Sequence, residues 1–294
     1  MKIVRAAHLG MCFGVRDAIV LAQTQAALQP ITILGELVHN EDVLADLKRR
    51  GVRVARTPDL VETSVAMITA HGASETLKTQ TRGQGLLLVD ATCPLVKSAH
   101  RALVALVGRG FHPVVIGQRE HVEVRGLTGD LEEFDVVLTS EEVRSISIRP
   151  RFGVVAQTTQ PIERVRSLVE ILRETHPQAE VEFVDTVCQP TKLRQKSAQE
   201  LATDCDVVVV VGGAHSNNTR ELVRTCGLRG ARVYHVQRAD DLQPSWFEGA
   251  ENVGLTAGTS TPDGLIEGVE AQLKLWSREE SLRNNTHTQL AANF

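Results

Sequence analysis

Short apolar runs alternate with longer amphipathic segments along almost the whole chain, and this alternation constrains the fold more than any other feature. Apolar runs at 2–6, 31–34, 65–69, 86–89, 113–116, 136–138, 153–156, 181–184, 207–211, 232–236 and 252–256 read as buried strands. Helical periodicity falls between them at 15–28, 41–50, 96–109, 163–176, 191–202, 218–228 and 263–275. Strands that alternate with helices imply parallel sheets, because a parallel connection needs a crossover long enough to hold a helix. The spacing suggests three similar α/β blocks, at residues 1–93, 94–188 and 189–276. The segment 277–294 is polar and aperiodic and reads as an unordered tail.

Charge and composition exclude several functions. The chain has 294 residues, a net charge of −4 and only 3% aromatic residues, with no basic run. It lacks the phosphate-tracking face and stacking side chains of a nucleic-acid binder. No apolar leader follows the N-terminal "MKIVRAA", and the run Val207–Val211 is far too short to span a bilayer. A cytoplasmic protein with no membrane or nucleic-acid partner is expected. Five cysteines in a chain of this length do not form a disulfide framework, and no C-x-x-C pair is present.

In parallel α/β sheets, ligands collect beyond the carboxyl ends of the strands. The reactive residues of this chain fall there. Cys12, Cys93 and Cys188 each follow an apolar run and precede a helical segment, the last two within "DATCPLV" and "DTVCQPT". His39 follows "ITILGEL", His71 follows "VAMIT", and His121 and Glu123 follow "PVVIGQRE". Thr158 follows "GVVAQ", Ser216, Asn217 and Asn218 follow "VVVVVGGAH", and Ser260 follows "NVGLTAGT". Three sheets facing one point would enclose a polar, cysteine-lined cavity.

Cys205 and Cys226 lie beside or within apolar segments and read as small core residues. Cys12, Cys93 and Cys188 stand at strand-to-helix junctions, where amide groups and the helix dipole favour a thiolate. One thiol per block could serve zinc. Three thiols suit a [4Fe–4S] cluster with one iron left open. Three imidazoles with the hydroxyls and amides of "HSNNT" and "GTSTPD" could hold a phosphate or diphosphate. The other histidines read as structural, with His215 left open. No phosphate-binding loop of the G-x-x-x-x-G-K-[ST] form and no G-x-G-x-x-G is present. Glu123, two residues after His121, is a candidate proton carrier in a dry cavity. Thr158 reads equally as a helix N-cap.

Taken in order, "GMCFGV", "ELVHN", "TAHGAS", "DATCPLV", "HVEV", "AQTTQ", "DTVC", "HSNNT" and "TAGTSTPD" resemble the 4-hydroxy-3-methylbut-2-enyl diphosphate reductase family, the last enzyme of the non-mevalonate isoprenoid pathway. The resemblance covers about residues 1–275. It implies three α/β domains in a pseudo-threefold arrangement around a central iron–sulfur cluster held by Cys12, Cys93 and Cys188. It implies that His39, His71, His121, Ser216, Asn217, Asn218 and Ser260 bind the diphosphate. Glu123 resembles the family's proton-delivering acid, and Thr158 its partner near the substrate hydroxyl. The implied reaction is a reductive dehydroxylation giving isopentenyl and dimethylallyl diphosphate, with electrons from a ferredoxin or flavodoxin. The chain departs from the family pattern at Val122, Arg125, Leu127 and Asn217. A divergent paralogue with another substrate, a cluster enzyme resembling quinolinate synthase, a non-enzymatic iron–sulfur sensor or carrier, and a cysteine–histidine hydrolase are the competing readings.

Overall fold

The computed structural model describes the backbone of residues 1–291 and the side chains of residues 1–279. It divides into two compact units, Cys12–Lys192 and Met1–Met11 with Leu193–Phe294. The elements in chain order are β1 (Lys2–Arg5), α1 (Phe13–Leu28), β2 (Ile31–Leu34), α2 (Glu41–Arg49), β3 (Arg53–Ala55), β4 (Val65–Ile68), α3 (Glu75–Gly83), β5 (Leu87–Asp90) and α4 (Pro94–Gly108). They continue with β6 (His112–Ile116), α5 (Val122–Thr128), β7 (Asp135–Val137), α6 (Ser140–Arg144), β8 (Arg151–Ala156), α7 (Ile162–Thr175), β9 (Glu180–Phe183) and α8 (Gln189–Asp204). The last are β10 (Val207–Val211), α9 (Asn217–Gly227), β11 (Arg232–Val236), β12 (Asn252–Ala257) and α10 (Asp263–Ala291).

The strands form three four-stranded sheets in the orders β3-β2-β4-β5, β7-β6-β8-β9 and β11-β10-β12-β1. Every pairing is parallel. The first two sheets belong to the unit Cys12–Lys192 and the third to the other unit. All three repeat one plan: the second strand lies at one edge, then the first, the third and the fourth. In the third sheet the fourth place is taken by β1, paired with β12 from Lys2↔Asn252 to Arg5↔Leu255. The first strand therefore completes the last block, whereas its position in the sequence assigns it to residues 1–93. An apolar run specifies a buried strand but not the sheet it joins.

Alternation along the central strands builds the core. Val207, Val209 and Val211 of β10 pack with Ile266, Val269 and Leu273 of α10. Val208 and Val210 face Ala198, Leu201 and Ala202 of α8 and Leu222 of α9. In the second sheet Val114, Ile116 and Val154 meet Val165, Leu168 and Leu172 of α7, while Val115 and Val155 meet Leu103 and Leu106 of α4. Each valine, leucine or isoleucine so buried contributes about 1.5–3 kcal/mol. Cys205 and Cys226 lie in the α8–α9 core, as their apolar context implies.

Several elements have little apolar periodicity and are visible only in the structure. β3 is a short, largely exposed edge strand, and α3, α5 and α6 are brief. Helix α10 runs to Ala291, so most of the segment read as an unordered tail is helical. Glu279, Leu282 and Arg283 are strong helix formers. Near its start Ser277 donates its hydroxyl to the carbonyl of Met1 at 2.5 Å. Residues 292–294 lie outside the described residues.

Candidate active site

The three-sheet repeat extends into the loops. After the first strand of each sheet, Gly35, Gly117 and Gly212 donate their amides to Ala55, Val137 and Val236, the last residues of the neighbouring strands, at 2.8, 2.9 and 2.9 Å. Four residues beyond each glycine stand His39, His121 and Ser216. After the third strand a tight turn recurs: Gly72 donates to Thr69, Gln160 to Gln157 and Thr261 to Gly258, at 3.0–3.1 Å. These turns hold His71, Thr158 and Ser260. After the fourth strand comes a cysteine. The carbonyls of Cys12, Cys93 and Cys188 accept the first helical bonds of α1, α4 and α8 from Arg16, Lys97 and Lys192, at 3.0, 3.0 and 3.1 Å.

All three cysteines lie within the unit Cys12–Lys192. A Cβ placed on Gly14, in the first turn of α1, would collide with the sulfur of Cys93. The glycine thus leaves the room in which the Cys93 thiol sits. The amides of Cys93 and Cys188 are anchored alike, donating at 3.0 Å to the carbonyls of Ala70 and Thr158. Burial raises the pKa of the Cys93 thiol and pushes that of Cys188 to about 11, with the charges of Cys12 and Glu123 adding to both. The backbone hydrogen bonds at these helix starts lower both values, as the sequence context implies, and burial acts in the opposite direction. A bound cation would reverse that balance. Thr191, which belongs to no candidate set above, places its hydroxyl 3.0 Å from the Cys188 sulfur. Its position three residues into a helix after the cysteine was the available signal.

Glu123, on α5, is 1% exposed. Thr158 donates its backbone N–H to one carboxylate oxygen at 2.6 Å and its hydroxyl to the other at 3.0 Å. Burial raises the pKa of this carboxyl from 4.5 to about 7, against the pull of the two Thr158 hydrogen bonds. Near neutrality the group can therefore hold or release a proton.

His39, His71 and His121 pack ring against ring, with centroids 4.7, 5.5 and 5.4 Å apart. Burial, with the two neighbouring imidazoles, pushes the His71 pKa well below its ordinary value, so this ring is neutral. Their ring nitrogens lie within 4.8 Å of one another, close enough for a metal ion. The tautomer of His121 favours an anion instead. His121 Nδ1 accepts the amide of Glu123 at 3.1 Å, which in the neutral ring places the proton on Nε2. That nitrogen is then a donor. Glu36 accepts from His39 Nδ1 at 3.2 Å. Among the described residues the three sulfurs do not form such a close group. Tetrahedral zinc at about 2.3 Å from each sulfur would bring them to roughly 3.8 Å apart.

In the other unit Ser216 caps α9, accepting the amide of Thr219 at 3.3 Å. Asn218 Oδ1 accepts the amide of Thr259 at 3.0 Å, joining the loop after β10 to the loop after β12. The amide nitrogen of Asn218 is buried with no protein acceptor. Ser216, Asn217, Asn218 and Ser260 are all buried, and the Asn218 amide nitrogen is a donor that an anion could satisfy. Of the departures from the family pattern, Arg125 points to solvent, Leu127 packs in the core beside α4, and Val122 is half-buried at the start of α5.

These features define a three-sheet α/β protein with three cysteines at helix starts and a buried acid. The family profile described as "LytB protein" matches residues 3–274, and the chain belongs to the LytB family. It is 36% identical over 281 residues to a 4-hydroxy-3-methylbut-2-enyl diphosphate reductase of Aquifex aeolicus, covering 93% of this chain and 96% of the relative. A protein of the same name from Geobacter sulfurreducens is 38% identical over 273 residues, covering 92% and 95%. Among solved structures, the E-1-hydroxy-2-methyl-but-2-enyl-4-diphosphate reductase of Plasmodium falciparum is similar with a TM-score of 0.86, 25% identity, and coverage of 90% of this chain and 86% of that one. A structure described as (E)-4-hydroxy-3-methyl-but-2-enyl diphosphate reductase, the terminal enzyme of the non-mevalonate pathway, gives a TM-score of 0.68 at 35% identity, covering 93% and 99%. No helix among the described residues is long and apolar enough to cross a membrane.

Proposed function

We propose that this enzyme reduces 4-hydroxy-3-methylbut-2-enyl diphosphate to isopentenyl and dimethylallyl diphosphate. The observation that carries the reading is Glu123, buried, poised near neutrality and bonded through Thr158 to the Cys188 loop. Two electrons and two protons turn the allylic C–OH into C–H and water. Hydroxide leaves poorly, so the reaction needs a proton donor at the departing oxygen. Protonated Glu123 is that donor, and the Thr158 hydroxyl orients the leaving group and passes the proton on.

Cys12, Cys93 and Cys188 would hold a [4Fe–4S] cluster, and the room that Gly14 leaves at Cys93 and the place of all three cysteines at helix starts support that fit. When bound, such a cluster supplies the electrons one at a time and an open Lewis-acidic iron. His39, His71 and His121 line the diphosphate site, with His71 and His121 donating ring N–H groups, which holds the allylic carbon in register with the acid. The same anion-binding role is assigned to Ser216, Asn217, Asn218 and Ser260 on the strength of their buried donors. A ferredoxin or flavodoxin supplies the electrons. The free thiols fit a reducing compartment such as the cytoplasm.

The test is anaerobic purification, reduction with dithionite and a mediator, and addition of the hydroxylated allylic diphosphate. Formation of both five-carbon diphosphates supports the reading. A reduced, iron-loaded protein that leaves this substrate unchanged would reject it.

A further inference from the structure

Two of the three cysteine loops carry a brace that the reaction does not use. Asp90 and Asp185 each stand three residues before their cysteine. Thr92 donates its amide to Asp90 Oδ1 at 2.9 Å, and Val187 donates to Asp185 Oδ1 at 3.2 Å. The second carboxylate oxygen faces a lysine one turn into the next helix, Lys97 at 3.4 Å and Lys192 at 2.8 Å. Buried Lys78 adds a further cation at 3.5 Å from Asp90. The backbone amides of Lys97 and Lys192 are the ones that donate to the cysteine carbonyls. Aspartate, cysteine and lysine thus close a small ring of polar contacts around each cysteine backbone.

An aspartate that accepts the amide two residues on is a common turn device. The first cysteine loop shows that the turn does not require it. Leu9 stands in the place of the aspartate there and Arg16 in the place of the lysine, yet Cys12 still begins its helix. The turn forms without the pair, which leaves the aspartate and lysine of the other two loops free to act on their own cysteines.

We propose that Asp90 with Lys97, and Asp185 with Lys192, are positioning residues for the thiolates of Cys93 and Cys188. Each pair also balances the charge beside the iron–sulfur group those thiolates hold, an inference that rests on the cluster reading above. The carboxylate fixes the backbone before the cysteine. The lysine neutralises the carboxylate, which would otherwise place a bare negative charge next to a thiolate. Groups that orient metal ligands in this way commonly change metal retention when removed.

The experiment compares full-length Asp185→Ala, Asp185→Asn, Lys192→Met and the double Asp185→Asn/Lys192→Met variant with wild type and Cys188→Ser, all purified anaerobically. Asparagine still accepts the Val187 amide, so Asp185→Asn changes charge and keeps the turn. Asp185→Ala is expected to release iron to a chelator about 10-fold faster or more, with Asp185→Asn close to wild type. The reduction potential should rise in Asp185→Asn, which leaves a bare cation, and fall in Lys192→Met, which leaves a bare carboxylate. It should return toward wild type in the double variant. Shifts of one sign in both single variants, no shift in either, or wild-type iron retention in Asp185→Ala would overturn the proposal. If Cys188→Ser keeps its full iron content, the cluster reading itself fails. The brace is then judged on cluster-free protein by the alkylation rate of Cys188. A rate altered in Asp185→Ala while that of Cys12 stays constant supports the positioning role, and an unaltered rate removes it.

Discussion

Thr158 grips Glu123 at both carboxylate oxygens, with its amide at 2.6 Å and its hydroxyl at 3.0 Å, while its own carbonyl accepts the amide of Cys188. One residue of the turn after β8 therefore connects the acid to a cysteine loop. The link is made mainly through the backbone, so the side chain of Thr158 can change without cutting it.

Replacing Glu123 should alter stability with a definite sign. The carboxyl pKa is raised from 4.5 to about 7 by burial, so between those values the folded chain binds more protons than the unfolded chain. Stability from this group is fully present below pH 4.5 and is lost as pH rises through 7, a change of about 3 kcal/mol. Glu123→Gln should lack that loss while its turnover drops about 100-fold or more. Urea unfolding of the cluster-free protein at pH 4.5 and pH 8, for wild type and variant, measures the first effect. An identical pH dependence in both would show that Glu123 is not the titrating group.

Thr158→Val keeps the shape and the backbone N–H but removes the hydroxyl donor. The lost hydrogen bond stabilised the ionised carboxylate, so the Glu123 pKa should move higher. The pH dependence of turnover checks this. Its Glu123 limb should shift to higher pH, and a shift to lower pH would contradict the geometry.

Iron content should sort the five cysteines into two groups. Cys12→Ser, Cys93→Ser and Cys188→Ser are each expected to lose the cluster. Cys205→Ser and Cys226→Ser keep it, because both side chains lie in the apolar core around α8 and α9. Metal analysis after anaerobic gel filtration reads the result directly. Gly14→Ala belongs with the first group, since its new methyl would occupy the space of the Cys93 sulfur. Full iron content in Gly14→Ala would mean that Cys93 can move aside and still bind.

Binding of inorganic diphosphate should weaken by about 10-fold or more when His71 or His121 becomes Ala, each substitution removing a hydrogen bond to a charged ligand worth about 1.5–3 kcal/mol. Burial keeps His71 neutral in the free protein, and a multiply charged anion would favour its protonation. Proton uptake should accompany binding. Calorimetry in two buffers of different ionisation enthalpy measures it, and buffer-independent heats would mean that the ring binds through a neutral N–H.

Much of the architecture is legible in the chain because short apolar runs and turn residues are local signals. β2, β10 and β11 have the bounds their apolar runs predict, and Cys12, Cys93 and Cys188 fall at helix starts as their contexts imply. β3 and the short helices α3, α5 and α6 escape such reading, since each has too few apolar positions to set a period.

Sequence alone determined that this chain forms parallel α/β sheets, where its strands end, and which residue types stand beyond those ends. Tertiary structure decided which residues meet and in what state. It placed β1 beside β12, because strand pairing depends on long-range register that a four-residue run does not encode. It brought His39, His71 and His121 from three separate loops into one cluster and buried Glu123 against Thr158, 35 residues away in the chain. Protonation follows from that burial and from the neighbours it supplies. The raised carboxyl of Glu123, the neutral ring of His71 and the raised pKa of the metal-free Cys188 thiol are therefore properties of the fold rather than of the residues themselves.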